Sequence, residues 1–164
     1  MKLAILLMLA MVPIFPVPAE THNSSEFNLP FSAPELTVDS ESEEVMLALV
    51  NEEREKAGLE PLVIDESLVA VARLHSFDMW EKEYFAHESP DGKTPFDRLV
   101  DGGVGFHKAG ENLALSRDVQ RAHKGLMESE GHRKNILEPD FKRVGIGVVD
   151  GGIYGKMWTQ NFAD

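Results

Sequence analysis

Apolar and polar positions alternate in blocks along this chain, and the blocks change period partway through. From near Ser42 or Glu43, Val45 and Leu49 with the charged Glu52, Glu53, Arg54 and Lys56 predict an amphipathic helix stopped by Gly58. Pro61 forces an extended stretch. Asp65 then stands as the N-cap of a longer helix reaching about Lys82, on which Leu68, Ala72, His75 and Met79 share one face. Tyr84 to Gly92 is irregular, since Ser89-Pro90-Asp91-Gly92 has turn chemistry at each position. Thr94-Pro95 opens a short helix to about Val100, and the glycines at 102, 103 and 105 make a loop. Glu111 to Leu115 reads as a short strand, and Asp118 caps a helix from Val119 to about Glu128. That helical pattern stops at Ser129, and Gly131-His132 reads as an irregular turn presenting the imidazole. Val144 to Val149 is a buried strand, Gly151-Gly152 a hairpin turn, and Tyr154 to Phe162 the returning strand. Helices come first and the clearest hairpin last, which predicts an α+β or layered α/β/α domain.

The N-terminal quarter has a different composition. Residues 1–19 combine Lys2, an apolar core from Leu3 to Val12 and a small-residue end at Val17-Pro18-Ala19, as a signal peptide does; an uncleaved anchor is the alternative. Residues 20–42 read as an acidic flexible spacer interrupted by Pro30 and Pro34, leaving 43–164 as the folded domain. The chain has no cysteine, so neither lipid attachment nor a disulfide supports it, and stability must come from a packed core. A net charge of −12 argues against nucleic acid as a partner, because phosphate neutralisation needs a basic face.

Candidate chemistry lies in the irregular segments. His87 and His132 both have small or polar neighbours, and neutral imidazole suits zinc and similar metals, although their spacing is not a metal motif. His75 faces inward, either as a core histidine bonded to backbone or Asp78 or as part of a site; His123 has the same two readings. Glu111, after Gly110, is the carboxylate of interest, with surface charge as the alternative. His22 and His107 read as solvated. No Gly-x-Ser-x-Gly elbow, His-Glu-x-x-His helix, phosphate loop or cysteine nucleophile occurs, and Ser89 and Ser129 lack a local Ser-His signature.

Five ordered segments carry a family resemblance: Leu49 to Leu62, Ala72 to Met79, Tyr84 to Gly92, Ala109 to Ala114 and Leu126 to Leu137. They resemble the CAP superfamily of cysteine-rich secretory, antigen 5 and pathogenesis-related 1 proteins, in its cysteine-free prokaryotic, SCP-like type, over roughly residues 43–164. The resemblance implies a single-domain α/β/α sandwich with a central cleft holding two histidines and two glutamates, where some members bind zinc or another divalent metal. Carried onto this chain, the metal ligands are His87 and His132 and the first glutamate is Glu111, with His75, His123, Ser129 and Asn112 lining the cleft. Ser129 stands where the second glutamate is expected. Glu130 beside it is rotated by about 100° if helical. Three functions follow as expectations. The first is a secreted or envelope-associated module binding a divalent metal or a small, lipid or envelope-derived ligand. The second is a metal-assisted hydrolase with Glu111 as catalytic general base. The third is a structural or signalling module with a vestigial cleft. Membrane contact is expected only through an uncleaved N-terminal segment.

Overall fold

A computed structural model describes residues 36–164; the signal segment and most of the spacer lie outside them. The described chain runs β1 (Thr37–Val38), α1 (Ser40–Lys56), β2 (Val63–Ile64), α2 (Glu66–Glu81), α3 (Pro95–Asp101), β3 (Ala109–Ser116), α4 (Val119–Glu128), α5 (Glu130–Ile136), β4 (Arg143–Asp150) and β5 (Lys156–Ala163). Strand order is β1-β4-β5-β3 with β2 parallel to the far end of β4, so β3 forms one edge of the sheet. The central pairings are antiparallel. None of the described helices is long and apolar enough to cross a membrane.

Alternation along the strands sorts the helices into two layers. Val144, Ile146 and Val148 face the same way as Trp158, Gln160 and Phe162 by register, and pack with Met46 and Val50 of α1, Ala122 and Leu126 of α4 and Ile136 of α5. On the opposite face α2 lies close against β4. A Cβ on Gly145 would fall 2.0 Å from the Leu68 carbonyl carbon and one on Gly147 2.2 Å from the Arg73 nitrogen, so those two positions admit only glycine. Leu68 and Val71 of α2, Leu99 of α3, Val104 and Ala163 make the core there. The expected α/β/α sandwich is the observed one.

Several boundaries differ from expectation, each for a physical reason. Order begins before Ser42, because β1 pairs with β4 and Asp39 caps α1 by accepting the Ser42 N–H at 3.0 Å. Glu43 is buried, holding Arg73 and accepting the Val148 N–H at 3.0 Å. Asp39 and Glu41, read as spacer, are thus helix-start residues suited to the positive end of the helix dipole. The β4–β5 connection is a longer loop, with a 3₁₀ turn at Gly152–Tyr154, and β5 starts at Lys156. Gly131-His132 is not an irregular turn. The chain breaks at Ser129 (φ −86°, ψ 121°) and resumes at once as α5, placing His132 on a helix, and Gly131 has no close neighbour that requires a glycine.

Candidate functional site

Three elements bring the polar side chains together. Asp65 caps α2 by accepting the N–H groups of Ser67 and Leu68, as expected, and the helix carries His75 fully inward. It ends at Glu81, and beyond the cap at Lys82 the non-glycine Glu83 takes φ 55°, so that the Tyr84 N–H reaches back to the Met79 carbonyl at 3.0 Å. The following segment passes under α2, offering the Ala86 carbonyl to His75 Nε2 at 3.2 Å and then projecting His87. A carbonyl only accepts, so Nε2 of His75 carries the proton. Thr94 and Asp97 form a reciprocal capping box that starts α3, and Arg98 follows one residue later.

Glu111 of β3 is the centre of the cluster. Its Oε1 accepts from His87 Nδ1 at 2.9 Å and its Oε2 from Arg98 Nη2 at 2.8 Å. His75 Nε2 lies 3.9 Å from Oε1. The Glu111 side chain is 2% exposed, whereas that of His87 is 53% exposed. Since a carboxylate accepts, His87 Nδ1 carries the proton of that hydrogen bond, and Nε2 is the nitrogen not engaged with Glu111. Arg98 also binds the main-chain carbonyls of His87 (2.9 Å) and Lys93 (3.0 Å).

The next residue on β3 serves the opposite layer. Asn112, fully buried, donates to the His132 carbonyl at 3.1 Å and to Gln160 Oε1 at 3.0 Å. Asn135 of α5 donates to Asn112 Oδ1 at 2.9 Å and contacts the Glu111 carbonyl at 3.3 Å. α5 therefore sits against the edge strand with its carbonyl at His132 fixed, and His87 approaches from the α2 side. Burial lowers the His132 pKa first, and a positive charge on His87 lowers it further.

Other shifts follow from the same packing. Burial lowers the His75 pKa, against the pull of Glu111. Tyr84 donates to Asp78 Oδ2 at 2.6 Å and stands 3.4 Å from His75 Nδ1; burial and that hydrogen bond raise its pKa. His75 thus meets both partners of its core reading, backbone directly and Asp78 through Tyr84, while also touching the cluster. His123 is not part of it. That ring packs toward Glu52, Glu53 and Lys56 of α1, its pKa lowered by burial and its Nδ1 left without a partner. Ser129 is the hinge between α4 and α5 and makes no capping hydrogen bond, and Glu130 is exposed.

Sequence reasoning missed Arg98 and Asn135. Each had a faint signal: Arg98 sits beside the buried Leu99 just after a strong cap, and Asn135 is one turn beyond His132. A groove of about 420 Å³ between α2 and α3, floored by Val71, Leu74 and Phe77, also has His75 and Arg98 on its wall. Among the described residues no three His, Asp or Glu side chains are grouped as a metal cage. A carboxylate bonded to one ring nitrogen while the other stays free is the outer-shell arrangement that orients metal-binding histidines.

Residues 47–162 match the model of the cysteine-rich secretory protein family. The chain is 46% identical over 121 residues to the uncharacterized protein YkwD of Bacillus subtilis, an alignment covering 73% of this chain and 46% of that one. It is 41% identical over 126 residues to the uncharacterized membrane protein YlbC of the same organism, covering 76% and 35%. The chain thus spans less than half the length of these two curated relatives. Among solved structures it is similar to an extracellular protein containing an SCP domain from Bacillus anthracis, with TM-score 0.69 and 40% identity over 76% of this chain and 41% of that chain. The fold is also shared with an outer surface protein of Borrelia burgdorferi, with TM-score 0.75 and 21% identity over 80% and 98%.

Proposed function

The chain belongs to the cysteine-rich secretory protein (CAP) family, in its cysteine-free prokaryotic type, and on that footing we propose that it is an extracellular binding module whose cleft takes a divalent metal ion on His87 and His132. The observation that carries this reading is the 2.9 Å hydrogen bond from His87 Nδ1 to Glu111, which leaves Nε2 of the solvent-exposed ring free to take an ion. Asn112 supports it from the other side by fixing the backbone at His132. The extracellular placement is supported by the N-terminal apolar segment and by the relatives described as extracellular or outer-surface proteins. Zinc is the first candidate, since imidazole is a good zinc ligand. Calorimetric zinc titration is expected to give one site in the wild type and none in a His87→Ala/His132→Ala variant. Equal binding by both proteins overturns the site.

A second reading, hydrolysis, is favoured by the same hydrogen bond. A carboxylate-oriented imidazole is a general base. Both Glu111 oxygens are committed, so the proton-accepting atom is His87 Nε2 and Glu111 orients it, in place of Glu111 acting as base. A bound divalent ion would supply an activated water, but an ion on Nε2 blocks that nitrogen as a base. Hydrolysis of a peptide, ester or glycan that zinc inhibits and His87→Ala abolishes would favour this reading. Absence of turnover with each substrate class removes it.

A further inference from the structure

We infer that the open edge of β3 is a docking site for an extended peptide segment of another protein, which adds a strand to the sheet through the main chain of Leu113 and Leu115. The inference rests on the binding-module reading above and names the chemistry of the partner, but it depends on no ion.

Register determines which way the β3 backbone points. The Asp164 N–H donates to the Lys108 carbonyl at 3.2 Å, in line with the pairing of Ala109 to Ala163. Even-numbered residues of β3 therefore exchange hydrogen bonds with β5, and odd-numbered residues turn theirs outward. Asn135 meets the Glu111 carbonyl from that outer side at 3.3 Å. Further along, among the described residues, no group bonds the outward N–H or C=O of Leu113 or Leu115. Free main-chain groups at strand spacing are a template for another strand. Proteins ordinarily blunt such an edge with proline, charge or a bulge. Leu113-Ala114-Leu115-Ser116 carries none of these and keeps one-to-one register as far as Lys156. The opposite side of the sheet is guarded. There β1 covers β4, and Val148 gives its carbonyl to the Asp39 N–H and its own N–H to the buried Glu43 carboxylate, each at 3.0 Å.

The walls beside the open edge set the thickness of the partner. α5 lies on one side, tied through Asn135 and through the bond from Asn112 to the His132 carbonyl at 3.1 Å. The segment after α2 lies on the other, where Tyr84 packs with Leu113 and His87 bonds Glu111. A second folded copy would meet both walls, whereas a single extended chain passes between them. Side chains of an added strand alternate between the two faces. On the α2 face they would cover Leu115, which is 53% exposed, so apolar or β-branched residues suit that half of the partner.

The test is a selection of randomised, end-capped short peptides on the immobilised protein, followed by N-methylation of each residue of the tightest binder in turn. Methylation is expected to weaken binding at alternate residues only, because an added strand turns every second N–H toward β3. Leu115→Pro removes one outward N–H without breaking the ladder to β5. It is expected to weaken the same peptide at least about tenfold, the scale of one lost hydrogen bond. Leu115→Ala keeps the N–H and is expected to weaken it less. A library without a binder, methylation effects without the two-residue period, or equal affinity of Leu115→Pro and wild type overturns the proposal. A concentration-dependent dimer that Leu115→Pro breaks assigns the edge to a second copy and overturns it too. Amide exchange in the wild type covers the case in which the proline variant does not fold. The free protein should protect Asn112 and Ala114 and leave Leu113 and Leu115 fast, and saturating peptide should slow those two at least about tenfold. Equal protection of all four in the free protein overturns the open edge. Zinc binding without peptide binding sinks only the peptide proposal, and peptide binding without zinc binding sinks only the ion site.

Discussion

Arg54 and Arg98, two of the arginines that grip main-chain carbonyls in this fold, serve different ends. Arg54 of α1 is 1% exposed and donates to the carbonyls of Glu60, Ile136, Glu138 and Phe141 at 2.9–3.1 Å. Arg98 of α3 holds two carbonyls and a carboxylate, and its Nε is buried without a partner. The first guanidinium is satisfied by groups that cannot move or change charge, so it staples the α1–β2 connection and the end of α5 to the start of β4. The second is satisfied by a side chain that could bind something else, next to an imidazole open to solvent. Position in the core does not distinguish a structural polar cluster from the candidate site here; the alternatives open to its acceptors do.

The largest expected effect is at Arg54. Arg54→Met leaves buried carbonyls unpaired and should cost about 3–5 kcal/mol, read from urea unfolding. A loss below about 1 kcal/mol would mean that water replaces the guanidinium and the staple is no staple. Arg98→Gln should cost less, about 1–3 kcal/mol, because it strands one carboxylate. Adding Glu111→Gln should restore most of that loss in a double-mutant cycle, whereas no second side-chain change can restore Arg54's carbonyls. Failure of the rescue would make Arg98 a staple as well.

Acid sharpens the same contrast, since each region has its own buried histidine. Burial lowers the pKa of both His75, in the Arg98 cluster, and His123, against α1, from the ordinary 6.5. A base with a lowered folded pKa binds more protons when unfolded, so its stabilising contribution is complete above 6.5 and is lost as pH falls below it. His123→Leu should therefore flatten the fall of Tm below that pH while leaving zinc binding untouched. The smallest expected effect is at Glu83, whose φ of 55° costs the helix end some strain. Glu83→Gly should add about 0.5–1 kcal/mol without altering metal affinity.

Much of the scaffold was legible because its signals are local. The face shared by Leu68, Ala72, His75 and Met79, the caps at Asp65, Thr94 and Asp118, and the apolar run from Val144 each specify an element without reference to the rest of the chain. β1 was not legible, since two residues make a strand only when β4 is there to pair with them. α5 was not either. Glycine lowers its helix propensity, and tertiary contacts override that, including Arg54's hold on the Ile136 carbonyl. In the site, the motifs singled out His87, His132 and Glu111, but the roles of Arg98 and Asn135 depend on how loops close over β3. Asp39 and Glu41 were misassigned because charge density resembles disorder until a helix start gives it partners, the Ser42 N–H and Lys156 for Asp39.

Glu111 and Asn112 are chain neighbours that serve opposite layers, one reaching the α2 side and the other α5. A strand alternates strictly, so a slip of one residue against β5 would exchange their sides and place an amide before His87 and a carboxylate beneath α5. The edge strand therefore tolerates changes of kind better than changes of count. A one-residue insertion or deletion between Lys108 and Glu111 would dismantle the centre while altering none of its side chains.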